Sequence, residues 1–109
     1  MELPKDGFHP MWGRDNVHDI YAEWRSVLDE YDPPRIAVAE AWVATAERRA
    51  KYAAPSGLGQ AFNFDLTKAD FNATQFRLLI ADNLTEAAAT GSSTNWVLSD
   101  HAAVLHATR

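Results

Sequence analysis

Hydrophobic and polar positions alternate along this chain in a pattern that predicts helices separated by short apolar strands. Residues 1–14 have no periodicity and are interpreted as a loop or ordered arm. A helix is predicted near 16–31, with Asp15 as its N-cap, and the prolines at 33–34 should end it because proline lacks the amide donor. Its apolar face consists of Val17, Ile20, Tyr21, Trp24, Val27, Leu28 and Tyr31.

The next segments predict a strand, a helix and a second strand. Residues 35–39 form a mostly apolar run without alternation, which is typical of a strand covered on both faces. A helix is predicted at about 44–53 and a loop at 55–57, where proline, serine and glycine follow one another. Residues 60–65 predict the second strand.

A capped helix and a third strand follow. Asn72 and Gln75 stand at the N-cap and N3 positions of a capping box, and Gly91 suits the C′ position of the same helix. A strand is predicted at 95–99, and residues 102–109 could open another helix. The apolar stripe predicted for the capped helix consists of Phe76, Leu79, Ile80, Leu84, Ala87 and Ala88.

The order of these elements predicts one α/β unit that spans residues 1–109. Helices and strands alternate with short connections, which implies parallel strands joined by right-handed crossovers. The pattern alone does not distinguish a closed barrel from an open sheet. The outer strands of a three-stranded piece would have open edges, so self-association through those edges is a possible consequence.

Composition narrows the classes of function. The 109 residues carry a net charge of −5 and no cysteine, which argues against a nucleic-acid partner and excludes disulfides and thiolate metal sites within this sequence. The basic cluster Arg48, Arg49 and Lys51 is interpreted as a solvated helix face. No apolar run approaches the ~20 residues of a membrane helix, and the first residues lack the apolar core of a signal peptide. A cytoplasmic protein with no membrane partner is therefore expected.

Acidic or imidazole side chains lie at or just after the carboxyl end of each of the three predicted strands. Glu40 follows the first strand, Asp65 ends the second, and Asp100 with His101 follows the third. Sites in parallel α/β folds form at the carboxyl ends of strands, so these groups should share one rim. Glycoside hydrolysis uses a proton donor and a second carboxylate. Glu40 suits the donor, since its apolar neighbours could partly desolvate it and keep it protonated. Charged residues also follow strands simply because strand ends meet solvent.

Several motifs stand in consecutive order along the chain: Val17–Tyr21, Glu23–Arg25, Leu28–Arg35, Glu40–Val43, Gln60–Asp65, Trp96–Ser99, His101 and His106–Arg109. They resemble bacterial α-glucosidases of glycoside hydrolase family 13, the α-amylase family. The resemblance covers almost the whole chain from about residue 8 and corresponds to the fifth to seventh strands of that family's (β/α)₈ barrel. It implies a partial TIM barrel and, as partners, α-linked glucosides or oligosaccharides, with no cofactor.

The resemblance assigns roles to two residues. Glu40 matches the family's general acid/base, and His101 matches the histidine that hydrogen-bonds the sugar in the −1 subsite. The family carries Asn-His-Asp around that histidine, whereas this chain has Asp100 before it and Ala102 after it. The aspartate missing at 102 is the one that stabilises the family's transition state.

Further departures predict that these residues alone do not catalyse hydrolysis. Ala39 stands where a glycine often precedes the acid, and Leu105 replaces an arginine. The family's nucleophile lies at the end of the fourth barrel strand, which has no counterpart among these 109 residues. A retaining mechanism needs nucleophile and acid about 5 Å apart, so a single carboxylate is insufficient. Replacement of the lost carboxylate by Asp100 is not favoured.

Two alternatives to a silent glucosidase segment remain open from the sequence. A non-catalytic sugar-binding or interaction module could use Trp42 and Trp96 for stacking, although both could equally be core residues. Alternatively, the chain could be a structural half of a barrel that pairs, through its open sheet edges, with another chain carrying the remaining strands. No metal is expected, because His18, His101 and His106 show no ligand spacing.

Overall fold

A computed structural model describes residues 7–103 of the chain. Within that range helices alternate with a parallel sheet whose order is β1-β2-β3, so the predicted α/β class and parallel topology are confirmed. The elements are α1 (Val17–Leu28), β1 (Ala37–Ala39), α2 (Ala46–Ala53), β2 (Gly59–Asn63), the short helix α3 (Asp65–Lys68), α4 (Ala73–Thr90) and β3 (Asn95–Trp96). None of these helices is long and apolar enough to cross a membrane.

The sheet is narrow, and its strands are shorter than the sequence predicts at every position. The register pairs are Ala37 with Gly59, Val38 with Gln60, Ala39 with Ala61, Phe62 with Asn95, and Asn63 with Trp96. β2 lies in the centre and pairs with β1 through its first half and with β3 through its last two residues. The carboxyl ends of β1 and β3 therefore flank the end of β2.

The apolar core lies between the sheet and α2. Its buried members are Ala39, Tyr52, Ala53, Leu58 and Ala61. Alanines face each other across this layer, which lets the helix approach the strands closely, and the Tyr52 ring fills the space beside them. α1 adds Val17 and Tyr21 to the edge of the same cluster.

One face of β1 is uncovered, contrary to the expectation of burial on both faces. Successive side chains of a strand point to opposite sides, so Ala37 and Ala39 face the helices while Val38 faces away. Val38 is 42% exposed and the preceding Ile36 is 57% exposed. The apolar run at 35–39 therefore predicts more burial of β1 than the described residues provide.

The start and the end of α1 differ from the predicted ones. The N-cap is Asn16, which makes no capping hydrogen bond through its side chain, and the helix ends at Leu28. Asp15 does not cap the helix, because its carboxylate accepts from the Arg48 guanidinium at 2.8 Å. At the other end, buried Arg25 bonds Asp29 at 2.9 Å and also donates to the backbone carbonyl of Arg35, which ties the helix to the chain entering β1.

Residues 7–14 form an ordered arm before α1, in agreement with the predicted loop or ordered arm. The Asp15 amide donates to the Gly7 carbonyl at 2.8 Å, and Arg48 donates to the Gly13 carbonyl at 3.0 Å. Gly7 has φ +75°, and a Cβ there would lie 2.0 Å from Oδ2 of Asp15. Only glycine fits this conformation and this approach. Residues 1–6 of the predicted arm lie outside the described residues.

The interpretation of the basic cluster as a solvated face is wrong for two of its three members. Arg48 turns toward the arm, where it pairs with Asp15. Arg49 turns into the helix layer, where it pairs with Asp65 at 3.1 Å. Lys51 alone of the three is exposed. Neighbouring positions on one helix thus serve two different interfaces.

A network of buried and half-buried polar side chains joins α2, the end of β2, α3 and α4. We call Arg49, Asn63, Asp65 and Asn83 the polar network. Oδ1 of Asn83 accepts from Arg49 at 2.5 Å and from the Asn63 amide at 2.9 Å. The Asn83 amide donates to Oδ2 of Asp65 at 3.0 Å and to the Leu79 carbonyl at 2.8 Å. Asn63 is fully buried. Asn63 and Asn83 are thereby satisfied away from water, while the Arg49 and Asp65 side chains are 15% and 29% exposed.

α4 begins and ends at the predicted residues, but the Asn72 amide donates to the Asp70 carbonyl at 2.7 Å instead of to Gln75, and the inward face is rotated. The Asn72 side chain caps the helix by accepting from the amides of Thr74 and Gln75 at 2.9 and 3.1 Å, and Gly91 ends it at φ +65°. Leu84, predicted to be buried, is exposed, and Ala88 is exposed too. Buried Asn83 occupies the centre of the inward face instead, because the polar network holds it there.

Some sequence predictions fall near or beyond the end of the described range. Residues 101–103 form a turn, in which the Ala103 amide donates to the Asp100 carbonyl at 3.1 Å. The rest of the helix predicted at 102–109, together with Leu105 and the motif His106–Arg109, lies outside the described residues.

The polar network predicts an unusually costly substitution at Asn83. Asn83→Ala removes an acceptor from both Arg49 and Asn63 and a donor from Asp65, so we expect a loss of about 2–3 kcal/mol in the free energy of unfolding. Urea unfolding followed by tryptophan fluorescence measures it. Asp82→Ala, at the exposed neighbouring position on α4, is the control and should change the free energy by less than ~0.5 kcal/mol. Equal effects of the two substitutions would contradict the network.

Candidate functional site

An open depression lies at the carboxyl ends of the strands. It has a volume of about 360 Å³, and we call it the rim depression. The residues that line it are Glu40, Phe62, Phe64, Val97, Ser99, Asp100 and His101. Two of the three predicted strand-end groups, Glu40 and the Asp100–His101 pair, are therefore brought to one place, as expected for parallel strands.

Glu40 occupies the first position after β1. Its backbone leaves the sheet there because the pairing with β2 ends at Ala39. The residue is exposed, so the expectation that its apolar neighbours desolvate it is wrong for this structure. Glu40 therefore offers a water-accessible carboxylate that can accept hydrogen bonds from a ligand.

Asp100 and His101 form the opposite side of the rim depression. Oδ1 of Asp100 lies 3.2 Å from Nδ1 of His101 and accepts the amide of Ala102, also at 3.2 Å. The Asp100 side chain is only 9% exposed, whereas the His101 side chain is 95% exposed. Among residues 7–103, Oδ2 of Asp100 is buried without a hydrogen-bond partner. The carboxylate is thus shielded while the imidazole reaches solvent.

The third predicted rim group, Asp65, is elsewhere. β2 ends at Asn63 rather than at Asp65, and the Asp65 amide donates to Oδ1 of Asn63 at 2.9 Å. This local turn starts α3 and carries the Asp65 carboxylate to the helix side, where Arg49 and Asn83 bind it. An Asx-type turn competes with the strand ladder at this point, and it removes the second strand's acid from the rim.

α3 fixes the segment after β3 that forms one wall of the rim depression. Buried Thr67 donates its hydroxyl to the Val97 carbonyl at 2.6 Å. The Val97 amide donates to the Asn63 carbonyl at 3.3 Å, which extends the contact with β2 beyond the last strand pair. These two bonds hold the chain as it runs from β3 toward Asp100 and His101.

Aromatic rings form the other wall. The Trp42 ring stacks on the Phe64 ring with centroids 4.2 Å apart and an angle of 5° between the planes. Nζ of Lys68 lies 4.9 Å from the Trp42 centroid. Phe62 meets Phe64 edge to face at 6.0 Å. Trp42 is thus engaged with other side chains of this protein. Phe64 is only 5% exposed, so the half-buried Phe62 is the ring that the depression presents.

Trp96 does not line the rim depression. In the register it is paired with Asn63, whose side chain points into the helix layer, so the Trp96 side chain points to that side as well. The idea that both tryptophans could stack on a sugar therefore receives no support at Trp96. The surface available at the depression combines apolar side chains with carboxylate and imidazole groups.

The described residues bring no metal site together. Within 7–103, no group of three or more His, Cys, Asp or Glu side chains is arranged to hold an ion. Of the histidines considered as ligands, His18 packs edge to face on Tyr52 at 4.6 Å, His101 lies at the rim, and His106 is outside the described range.

Burial lowers the pKa of His18, and the nearby cations Lys51 and Arg48 lower it further, while Asp15 and Asp19 oppose them. Its Nδ1 is buried without a hydrogen-bond partner in the described part of the chain. Burial also raises the pKa of Tyr52, whose ring packs against the same imidazole. Both groups therefore favour their neutral forms in the folded protein.

Sequence reasoning did not foresee that the Asp100 carboxylate and the His101 imidazole approach each other to 3.2 Å. The two residues are adjacent, and adjacent side chains of regular elements do not face each other, so spacing gives no signal. A turn at 101–103 makes the contact possible.

Comparison of the chain with models of known protein families and with curated proteins finds no match. What the chain does must therefore be inferred from the rim depression and from the sequence motifs.

The lowered pKa of His18 predicts a pH-dependent stability. Below about pH 6.5 an imidazole in the unfolded chain takes up a proton that folded His18 resists, so stability should fall as the pH drops from 7.5 to 5.0. The lowered pKa of Asp15, caused first by its hydrogen bond with Arg48, acts only below about pH 4. Urea titrations of wild type and His18→Phe at several pH values measure the effect. Parallel stability profiles for the two proteins would contradict it.

Proposed function

We propose that this chain is an α-glucosidase-like segment of a (β/α)₈ barrel that binds α-linked glucose units at the rim depression and does not hydrolyse them by itself. The observation that carries the proposal is the meeting of Glu40 and His101 at one rim. Both match sugar-handling residues of the family that the motifs resemble. They are 61 positions apart in the sequence (101 minus 40), so local structure does not bring them together.

The open sheet supports the barrel as the parent architecture. β1 and β3 are the outer strands in the described range, and each has one side without a paired strand. The uncovered face at Ile36 and Val38 is apolar and exposed. A parallel sheet of an α/β protein is normally covered on both faces, and a closed barrel supplies such cover from its own opposite wall.

The chemistry of the rim depression supports binding more than turnover. Glu40 can accept hydrogen bonds from sugar hydroxyls, His101 can accept or donate, and the half-buried Phe62 ring offers apolar contact for a sugar ring. Retaining hydrolysis needs a nucleophile and a proton donor flanking the glycosidic bond. Asp65, the one acid at the end of β2, is bound by Arg49 and Asn83 and is absent from the depression. The second carboxylate that lines the depression, Asp100, is only 9% exposed at its side chain.

Sugar binding without turnover is the central expectation. Maltose should quench or shift the tryptophan fluorescence at millimolar concentration, and Glu40→Gln and His101→Ala should each raise the Kd roughly threefold to tenfold, as expected for one lost or weakened hydrogen bond. Glu47→Gln, on the exposed side of α2, is the matched control and should leave the Kd unchanged. No response of the wild-type protein to maltose would contradict the proposed function.

The same protein should give no detectable hydrolysis of p-nitrophenyl α-glucoside, even after Ala102→Asp, because a restored stabilising carboxylate does not supply a nucleophile. If the protein hydrolyses this substrate and Glu40→Gln abolishes the hydrolysis, the expectation that the chain is catalytically inactive is contradicted.

The open edges also predict self-association. Exposed apolar strand edges pair with other chains, and charge on an edge opposes such pairing. We expect a concentration-dependent increase in mass by sedimentation velocity, and a shift toward monomer in Val38→Lys. Leu84→Lys places the same charge at an exposed apolar position of α4 and should leave the association unchanged. A wild-type protein that stays monomeric at every concentration contradicts the expectation.

A further inference from the structure

We propose that the rim depression selects a hydroxylated ligand that also carries a positive charge, and that a sugar unit with a free primary amine is the ligand class that fits it. The inference rests on the proposed function, because it names the kind of sugar that the same site prefers. The family that the motifs resemble carries an asparagine at the position of Asp100, so this second carboxylate belongs to the chain's own sequence.

The groups that line the depression are acidic. Glu40 and Asp100 supply carboxylates, and none of the described residues that line it is a lysine or an arginine. The Lys68 ammonium lies 4.9 Å from the centroid of the Trp42 ring, and neither of these two residues lines the depression. The His101 side chain is 95% exposed, so solvent screens any charge on it. A cleft lined by charges of one sign concentrates ligands of the opposite sign.

The Asp100 carboxylate has one oxygen that the described part of the chain does not satisfy. The side chain is only 9% exposed, and Oδ1 accepts the Ala102 amide at 3.2 Å. Oδ2 is buried and has no hydrogen-bond partner there. A carboxylate shielded from water is costly without compensation, and its field reaches further than it would in water. A positive charge brought into the adjoining depression offsets that cost.

Other aspartates of this fold show how such compensation is usually supplied. Asp15, Asp29 and Asp65 each pair with an arginine. Asp100 is more shielded than any of the three, and its neighbour is the solvent-exposed imidazole of His101 instead of a guanidinium. The compensating charge at the rim depression is therefore left for a ligand to bring.

Glu40 supplies the carboxylate that a ligand contacts directly. It is exposed at the first position after β1 and lines the depression opposite Asp100. A hydrogen bond from an ammonium group to a carboxylate is roughly twice as strong as one between neutral groups. A hydroxyl also donates to Glu40, but it brings no charge to the shielded Asp100. The two acids together favour an ammonium over a hydroxyl at the same position of a sugar ring.

The apolar wall restricts the ligand to a ring compound. The half-buried Phe62 ring and Val97 line the depression, whose volume is about 360 Å³. Such a surface contacts the carbon-bound face of a sugar, and a simple alkylamine leaves most of it uncovered. The combination of this wall with two carboxylates points to an amino sugar.

Sugars that differ in one substituent test the preference. D-glucose is compared with D-glucosamine and 6-amino-6-deoxy-D-glucose, which place the amine at opposite sides of the ring, and with D-glucuronate, which carries a carboxylate. Backbone amide shifts of the rim depression are followed at about pH 6.5, where primary amines are charged. We expect at least one amino sugar to bind about tenfold more tightly than D-glucose, and D-glucuronate to bind more weakly.

Substitutions of the two acids assign the preference to them. Glu40→Gln and Asp100→Asn each remove one charge with little change in volume, and each should reduce the tenfold preference to about threefold or less. Asp82→Asn removes the same charge at an exposed position of α4 and should keep the full preference. Circular dichroism and urea unfolding establish that the variants keep the fold. A preference that survives both rim substitutions overturns the role of the two acids.

The outcomes separate this inference from the function on which it rests. If D-glucose and maltose bind but neither amino sugar binds more tightly than D-glucose, the inference is overturned and the proposed function stands. If ethylamine binds as tightly as the amino sugars, charge alone accounts for binding and the assignment of an amino sugar is overturned. If an amino sugar binds at the rim and maltose does not, the preference for positive charge is supported and the proposed binding of α-linked glucose fails. If no sugar binds, both fail.

Discussion

The polar network is the interaction on which the rest of this structure depends. It places an arginine–carboxylate pair between three helices and the end of the central strand, and two asparagines complete the hydrogen bonding. Shielded ions are costly unless their groups are satisfied, and the four members of the network, two buried and two half-buried, come from four different elements. Removing Asn83 leaves the Arg49–Asp65 pair in place but takes a hydrogen-bond partner from Arg49, Asn63 and Asp65. The network therefore fixes α2, α3 and α4 relative to the sheet more specifically than alanine-rich apolar packing could.

The same network determines which acidic side chains lie at the rim depression. The Asn63 side chain accepts a hydrogen bond from the Asp65 amide, and this turn ends β2 at Asn63. The Asp65 carboxylate therefore lies in the helix layer, where it pairs with Arg49. Glu40 directly follows β1, and His101 lies in the segment after β3; both line the rim depression. The Arg49–Asp65 ion pair therefore holds one of the three candidate groups away from the rim, and the other two line the depression for which we propose sugar binding.

The alternation of elements was predictable from the sequence, because hydrophobic periodicity and helix caps are local signals. Asn72 and Gly91 mark the ends of α4 correctly for that reason. The topological rule for parallel strands also placed Glu40 and His101 on one rim. The polar network was not predictable, since Asn83 in a helix indicates a solvent-facing position until its partners from distant segments are known. Strand lengths were overestimated because apolar runs report burial, whereas a strand ends where its hydrogen-bonded neighbour ends.

One titration tests whether Asp65 has a structural role while the rim depression binds the proposed ligand. Backbone amide chemical shifts of the chain, followed as maltose is added, should change at Glu40, at Phe62 and Phe64, and from Ser99 to His101, the segments that line the rim depression. The amides of Asp65 and Asn83 should stay in place, because the polar network isolates them from the ligand. Shifts centred on Asp65, or none at the rim, would contradict the account.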